Sequence, residues 1–163
     1  MIGLILNEQL SKTSIDKIDL AANKLLLMTS QVIIPTGNAD FGTLKSHFSA
    51  KTNIEVITNK NDFKDCGTLT DIYAASCQHP DMTDFLTMEP THYRINQEVI
   101  STLADNQNSY AVTTTTNFYT IGHFQIQKAD LVPYLKLENF ELEKFITNEL
   151  QCLPITFAKS DFE

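Results

Sequence analysis

The side chains with the widest chemical range crowd into one stretch. His79, Asp81, Asp84, Glu89 and His92 fall within 14 residues, and imidazole and carboxylate groups of this kind ligate zinc or iron. Their spacing matches no metal-binding pattern, and Pro80 and Pro90 interrupt the segment, so it reads as a solvated polar loop. Cys66 stands directly before Gly67 at an expected helix N-terminus, a position that can lower a thiol pKa. No base lies near it in sequence, which leaves it a structural role. His123 sits in an apolar run and is expected to be a hydrogen-bonded histidine, and His47 falls on a short helix with no obvious partner. Lys17 lies in the first turn of an expected helix, where an ammonium is either solvated or aimed at an anion. A nucleophile elbow, a phosphate-binding P-loop and a dinucleotide-binding glycine fingerprint are all absent.

These residues need a frame, and hydrophobic periodicity supplies one. The apolar runs IGLIL, QVIIPTG and NIEVIT read as buried strands near 2–6, 31–35 and 54–58. Between the first two, Ile15, Ile18, Ala22, Leu25 and Leu26 fall on one helical face, with Thr13 or Ser14 as its cap. Asn38 or Asp40 can cap a short helix carrying Phe41, Leu44 and Phe48. Strands separated by helices predict right-handed βαβ units and a parallel sheet. Farther on, Gly67 opens a helix with Leu69, Ile72, Tyr73 and Ala75 inward. MTDFLTM is a strand ended by Pro90, and Ile95, Val99 and Leu103 mark another helix. SYAVTTTT and FYTIGHFQI read as two β-branched and aromatic strands joined near Asn117, with residues 113–116 counted as strand. The pattern closes with ADLVPYL, a helix over NFELEKFITNEL and a last strand LPITFA.

Composition narrows the partners. The chain has 163 residues, 42% of them hydrophobic, and 20 acidic side chains against 12 basic ones, for a net charge of −8. One domain spanning 1–163 is expected. Nucleic acid and anionic membranes both require a basic patch, and no basic cluster appears, so neither is expected as a partner. No run approaches the roughly 20 apolar residues of a membrane helix, and MIGLILNEQ lacks the basic start of a signal peptide. A cytoplasmic location is expected. Three scattered cysteines make no disulfide framework.

The order of elements, with certain residues, resembles the molybdenum-cofactor guanylyltransferases and the wider sugar-nucleotide and cytidylyl transferase superfamily. Those proteins begin with a strand and the loop Leu-Ala-Gly-Gly-x-Ser-x-Arg-Met-Gly-x-Asp-Lys. Here the first strand runs into Asn7-Glu8-Gln9-Leu10-Ser11-Lys12-Thr13-Ser14-Ile15-Asp16-Lys17; Ser11, Asp16 and Lys17 match if one residue is deleted before Asp16. Asn59 and Gly67-Thr68-Leu69 resemble the family's Asn after its third strand and its Gly-Pro-Leu helix start. Thr87-Met88-Glu89-Pro90 stands where Cys-Asp-Met-Pro is expected, and YTIGHFQIQKADLVPYL resembles the late strand and helix. The resemblance implies a three-layer α/β/α sandwich, its central sheet mostly parallel with about seven strands and one antiparallel strand near 118–126. It implies Lys17 as catalytic residue, Ser11, Asn59 and Gly67 at the nucleotide, Glu89 at the metal, Mg²⁺ as cofactor if the chain is active, and a nucleotide or pterin ligand.

The departures carry physical weight. Displacing pyrophosphate from an α-phosphate needs backbone N–H groups close to a triphosphate, hence glycines. It also needs a cation for the developing charge and a carboxylate on Mg²⁺. Glu8 and Gln9 stand at the glycine positions, Thr13 at the arginine, and Met88 at the metal-binding Asp unless the register slips to Glu89. The expectation is a divergent nucleotidyltransferase-like protein of doubtful activity. The alternative is a non-catalytic binding or interaction protein that keeps the fold.

Overall fold

The computed structural model describes residues 1–6 and 13–163. In chain order the elements are β1 (Ile2–Ile5), α1 (Ile15–Leu26), β2 (Val32–Thr36), α2 (Asn38–His47), β3 (Ile54–Thr58), α3 (Thr68–Gln78), β4 (Thr83–Met88), α4 (Gln97–Ala104), β5 (Ser109–Val112), β6 (Asn117–Ile126), α5 (Lys128–Lys136), α6 (Leu142–Lys144) and β7 (Leu153–Thr156). The strands form one seven-stranded sheet in the order β3-β2-β1-β4-β6-β5-β7. β1 pairs in parallel with both β2 and β4, β2 with β3, and β5 with β7; β6 alone runs against its two neighbours. The three leading strands match their expected positions, and the antiparallel strand falls where the resemblance places it.

Local chemistry explains the boundaries. Every residue of β1 and β2 is buried, as a parallel sheet covered on both faces requires. Ser14 caps α1, its Oγ accepting from the Lys17 N–H at 3.4 Å, which satisfies one orphan donor of the first turn. α2 differs from expectation: Gly37 precedes it and no side chain caps it. Gly67 enters α3 with φ 61° and ψ −141°, a backbone region open almost only to glycine. That requirement accounts for the glycine without any ligand.

The side chains sort onto two faces. Leu4, Leu6 and Ile33 join Leu69 and Ile72 of α3, Leu131 and Leu135 of α5, and Phe145 in one core. Ile5, Val32 and Ile34 join Ile18 and Leu25 of α1, Leu44 of α2, and Val99 and Leu103 of α4 in the other. The result is three layers, helix on sheet on helix. Among the described residues no helix is long and apolar enough to cross a membrane.

Two expectations give way. Residues 113–116 are a turn, not strand. The Thr113 N–H donates to the Thr116 carbonyl at 2.8 Å, and Thr113 Oγ1 accepts from the N–H groups of Thr115 and Thr116 at 3.4 and 3.2 Å. The hydroxyl thus competes for backbone donors that a ladder would use. The amphipathic stretch 139–150 is α-helical only over Leu142–Lys144 and then widens into a π-helical turn over Phe145–Glu149. The wider turn keeps Phe145 and Ile146 both buried. At one sheet edge β7 carries Pro154, which is exposed and sits opposite Tyr110 of β5.

The tight seat of β6 yields a test. A Cβ on Gly122 would lie 2.5 Å from the Ser109 carbonyl oxygen and 2.4 Å from the Phe124 ring. Gly122→Ala should therefore cost about 2–4 kcal/mol of unfolding free energy, measured by urea denaturation. Gly42→Ala, where a Cβ meets nothing within 4 Å, should cost less than about 0.5 kcal/mol.

Candidate functional site

The strand order reverses at β1: the chain runs outward through β2 and β3, then returns to place β4 on the other side. Ligands in open α/β sheets bind outside the carboxyl ends of strands at such a point. Beside that point, at the carboxyl end of β4, a cleft of about 500 Å³ opens, lined in part by Thr68, Glu89, His92, Asn117, Thr120 and Glu143. Four segments far apart in sequence build it. β4 ends at Met88, which is fully buried against α1 and α4. The next residue, Glu89, turns into the cleft. Because β6 runs backwards, its first residues reach the same rim. The N-terminus of α3 contributes Thr68, and α6 contributes Glu143.

Hydrogen bonds fix these groups. Thr120 Oγ1 donates to Glu89 Oε2 at 3.0 Å. Thr87 Oγ1 donates to the Thr120 carbonyl at 2.9 Å, tying β6 to β4 beyond the last ladder pair. The Tyr119 phenol donates to Glu143 Oε1 at 3.0 Å and accepts from Asn117 Nδ2 at 3.1 Å. Burial, with the Glu143 carboxylate beside it, raises the Tyr119 pKa. The His92 N–H donates to the Glu89 carbonyl at 3.0 Å, and its ring packs edge-on against Phe118 with centroids 5.1 Å apart. Burial lowers the His92 pKa below 6.5 against the opposing pull of Glu89. The described lining thus holds two carboxylates and no lysine or arginine.

The residues singled out in the sequence distribute unevenly about this cleft. Glu89 lines it, and Gly67 precedes the lining residue Thr68. Lys17 does not line it. Its side chain is exposed, its ammonium 5.9 Å from the centre of the Tyr93 ring, just past the turn that follows Glu89. Asn59 follows β3, its N–H bonded to the Thr36 carbonyl at 2.9 Å, and is not among the residues lining the cleft; its Oδ1 is buried without a partner among the described residues. Ser11, with Glu8 and Gln9, lies outside the described residues. Cys66 is buried, and burial pushes its thiol pKa up, the reverse of an activated thiol.

Of the histidine and carboxylate stretch, only Glu89 and His92 line the cleft. Asp84 Oδ1 lies 3.2 Å from His123 Nε2 and accepts from Gln107 Nε2 at 2.7 Å; the other ring nitrogen of His123 meets the Leu103 carbonyl at 3.0 Å. His123 is a hydrogen-bonded core histidine. His47 does find a partner, Asp19 Oδ2 at 3.1 Å. Among the described residues no three metal-ligating side chains come together. Glu89 alone fits a hard cation only if phosphate oxygens complete the coordination sphere, as Mg²⁺ accepts. Thr120, Asn117 and Glu143 were not legible as site residues, since only the reversal of β6 and the placement of α6 bring them to Glu89.

No protein-family model and no curated protein matches the chain. Solved structures do match. A 4-diphosphocytidyl-2C-methyl-D-erythritol synthase superposes with a TM-score of 0.67 at 10% identity, covering 99% of this chain and 90% of that one. A nucleotidyl transferase from Methanothermobacter thermautotrophicus gives 0.63 at 10% identity, covering 96% and 87%. The Mycobacterium tuberculosis protein Rv0371c, in complex with manganese, gives 0.58 at 13% identity, covering 96% and 86%. The fold is nucleotidyltransferase-like. At these identities the likeness reaches the backbone and not the chemistry of the cleft.

His92 makes the cleft's acid response testable. Its folded pKa lies below 6.5, so below about pH 6.5 the unfolded chain takes up a proton that the folded chain resists. The stability tied to His92 is therefore present above that pH and is lost as pH falls through it. Urea unfolding at about pH 7.5 and 5.5 should show wild type losing more stability than His92→Gln; equal losses would contradict the burial argument.

Proposed function

We propose that the chain is a ligand-binding protein on a nucleotidyltransferase-like fold, with residues 1–163 acting as one domain and the cleft receiving a ligand that lacks a triphosphate. One observation carries this reading: the described lining presents Glu89 and Glu143 and no lysine or arginine. A triphosphate brings several negative charges, and each like-charge pair at about 5 Å costs about 3 kcal/mol at an effective dielectric of about 20. Glu8 and Gln9 point the same way from sequence. Side chains replace the glycines whose absence of Cβ would let backbone N–H groups approach phosphates.

A second reading, guanylyl transfer to a pterin in molybdenum-cofactor assembly, has its own support. Glu89 enters the cleft directly after β4, one residue past Met88, where the resemblance places the metal-holding carboxylate. Lys17 keeps an exposed ammonium in the first turn of α1, where the helix dipole also favours an anion. In that reading Lys17 holds the transferred phosphoryl group's charge and Glu89 holds Mg²⁺. Ser11 and Asn59 bind the nucleotide, and Gly67 admits backbone to it. The metal would supply charge stabilisation at the phosphates.

Calorimetric titration with GTP, CTP or ATP in the presence of Mg²⁺ separates the two. The first reading expects dissociation constants weaker than about 0.1 mM, or about 5.5 kcal/mol; a micromolar constant overturns it. Where turnover is found, Lys17→Ala should lower it about a hundredfold while Lys12→Ala leaves it intact. Full activity in both variants would remove Lys17 from the site.

A further inference from the structure

The sheet has two outer edges, and they differ. At β7 Pro154 interrupts the row of backbone donors, whereas β3 carries no proline and pairs with β2 in unbroken register from Ile54 to Thr58. The Asn53 carbonyl accepts from the Val32 N–H, and the Asn59 N–H donates to the Thr36 carbonyl, each at 2.9 Å. Backbone groups alternate in direction along a strand, so residues 53, 55, 57 and 59 face β2 and residues 54, 56 and 58 face outward. The Ile54 N–H folds back onto the Lys51 carbonyl at 3.5 Å. The Ile54 carbonyl, both groups of Val56 and the Thr58 N–H remain, and among the described residues nothing is hydrogen-bonded to them.

The surface beside this edge is grooved and basic. Two adjoining hollows, of about 220 and 230 Å³, share Lys45, Glu55 and Val56; the first adds Lys51 and Ile54, the second Thr58 and Lys60. Together they follow the length of β3. Their lining holds three lysines and one carboxylate, in a chain whose net charge is −8. Lys51 is paired with Asp19 at 2.8 Å. Lys45 lies over the Phe41 ring, 5.2 Å from its centre, and neither it nor Lys60 meets a carboxylate among the described residues. The one carboxylate, Glu55, accepts from Gln78 Nε2 at 3.3 Å. The lysines come from α2 and from the turns at either end of β3, too far apart in sequence to form a basic run.

We propose that the β3 edge receives an extended, acidic segment of a partner protein as an added strand. Val56 would exchange both its backbone bonds with the segment, and the Ile54 carbonyl and the Thr58 N–H would continue the ladder. Side chains of a strand project alternately to its two sides. Carboxylates at every second position would therefore share one flank of the segment and meet the ammonium groups of Lys45 and Lys60, which line the same hollow. The lysines also select against a second copy of this chain, because two β3 edges brought together would set Lys45, Lys51 and Lys60 against their like. β2 and β1 separate this edge from β4 and the cleft, so the surface is independent of whatever the cleft holds.

The probe is a fluorescently labelled peptide of about eight residues that alternates glutamate with threonine. At low ionic strength it should bind the full chain with a dissociation constant below about 1 mM. The same peptide with lysine in place of glutamate should bind at least about tenfold more weakly. Binding should slow hydrogen exchange at the Val56 and Thr58 amides. Thr58→Pro removes an outward N–H while sparing every bond to β2, and should weaken binding about tenfold. Lys45→Glu combined with Lys60→Glu, both at exposed side chains, should do the same and serves if Thr58→Pro does not fold. No binding, equal binding of the two peptides, unchanged affinity in the charge-reversed variant, or protection confined to the cleft overturns the proposal. Protection of Val56 and Thr58 that grows with the concentration of the free chain would make a second copy the occupant, and overturns it as well.

Discussion

β6 is wedged backwards between β4 and β5, and the cleft exists because it fits there. The fit depends on a missing Cβ at Gly122, where the Ser109 carbonyl and the Phe124 ring leave no room for one. It depends equally on the Thr87 hydroxyl, which reaches across to the Thr120 carbonyl at 2.9 Å and to the Gly122 carbonyl at 3.3 Å. An all-parallel arrangement would carry the N-terminal residues of this strand to the opposite end of the sheet. Reversal instead sets Asn117, Tyr119 and Thr120 beside Glu89. Two hydrogen-bonded chains of groups then follow without any further device: Thr120 on Glu89, and Asn117 on Tyr119 on Glu143.

The charge on Glu89 and Glu143 decides what the site can hold. Glu89 has one hydroxyl partner and Glu143 one phenol partner; no described lining residue brings a compensating cation. Neutral hydrogen bonds orient a carboxylate but leave its charge in place. The cleft is thus poised for donors, with Phe118 and His92 also in its lining. Lys17 stands outside the described lining, its ammonium over the Tyr93 ring.

Much of the fold could be read from residue order because each βα unit declares itself locally. IGLIL and QVIIPTG carry strands buried on both faces and NIEVIT one that is mostly buried, and Ser14 and Gly67 mark helix starts by chemistry that acts over three or four residues. The site was less legible for the same reason. Glu89 was visible beside Pro90, but Thr120 and Glu143 belong to it only through strand reversal and a short helix. Residues 113–116 read as strand since threonine is β-branched, yet the Thr113 hydroxyl spends itself on neighbouring N–H groups and makes a turn. Nor does any periodicity announce that Phe162 returns to cover Phe118.

β7 holds a consequence of a different kind. The sheet ends there on one side, and an exposed edge is a template on which a further strand can assemble. Pro154 has no N–H to offer, so its outward position breaks the row of donors that such assembly requires. Leu153 beside it is 70% exposed, which would otherwise invite sticking between molecules. A single imino acid thus acts as a stop on lateral growth, and together with a net charge of −8 it favours chains that remain apart at the concentrations of a crowded solution.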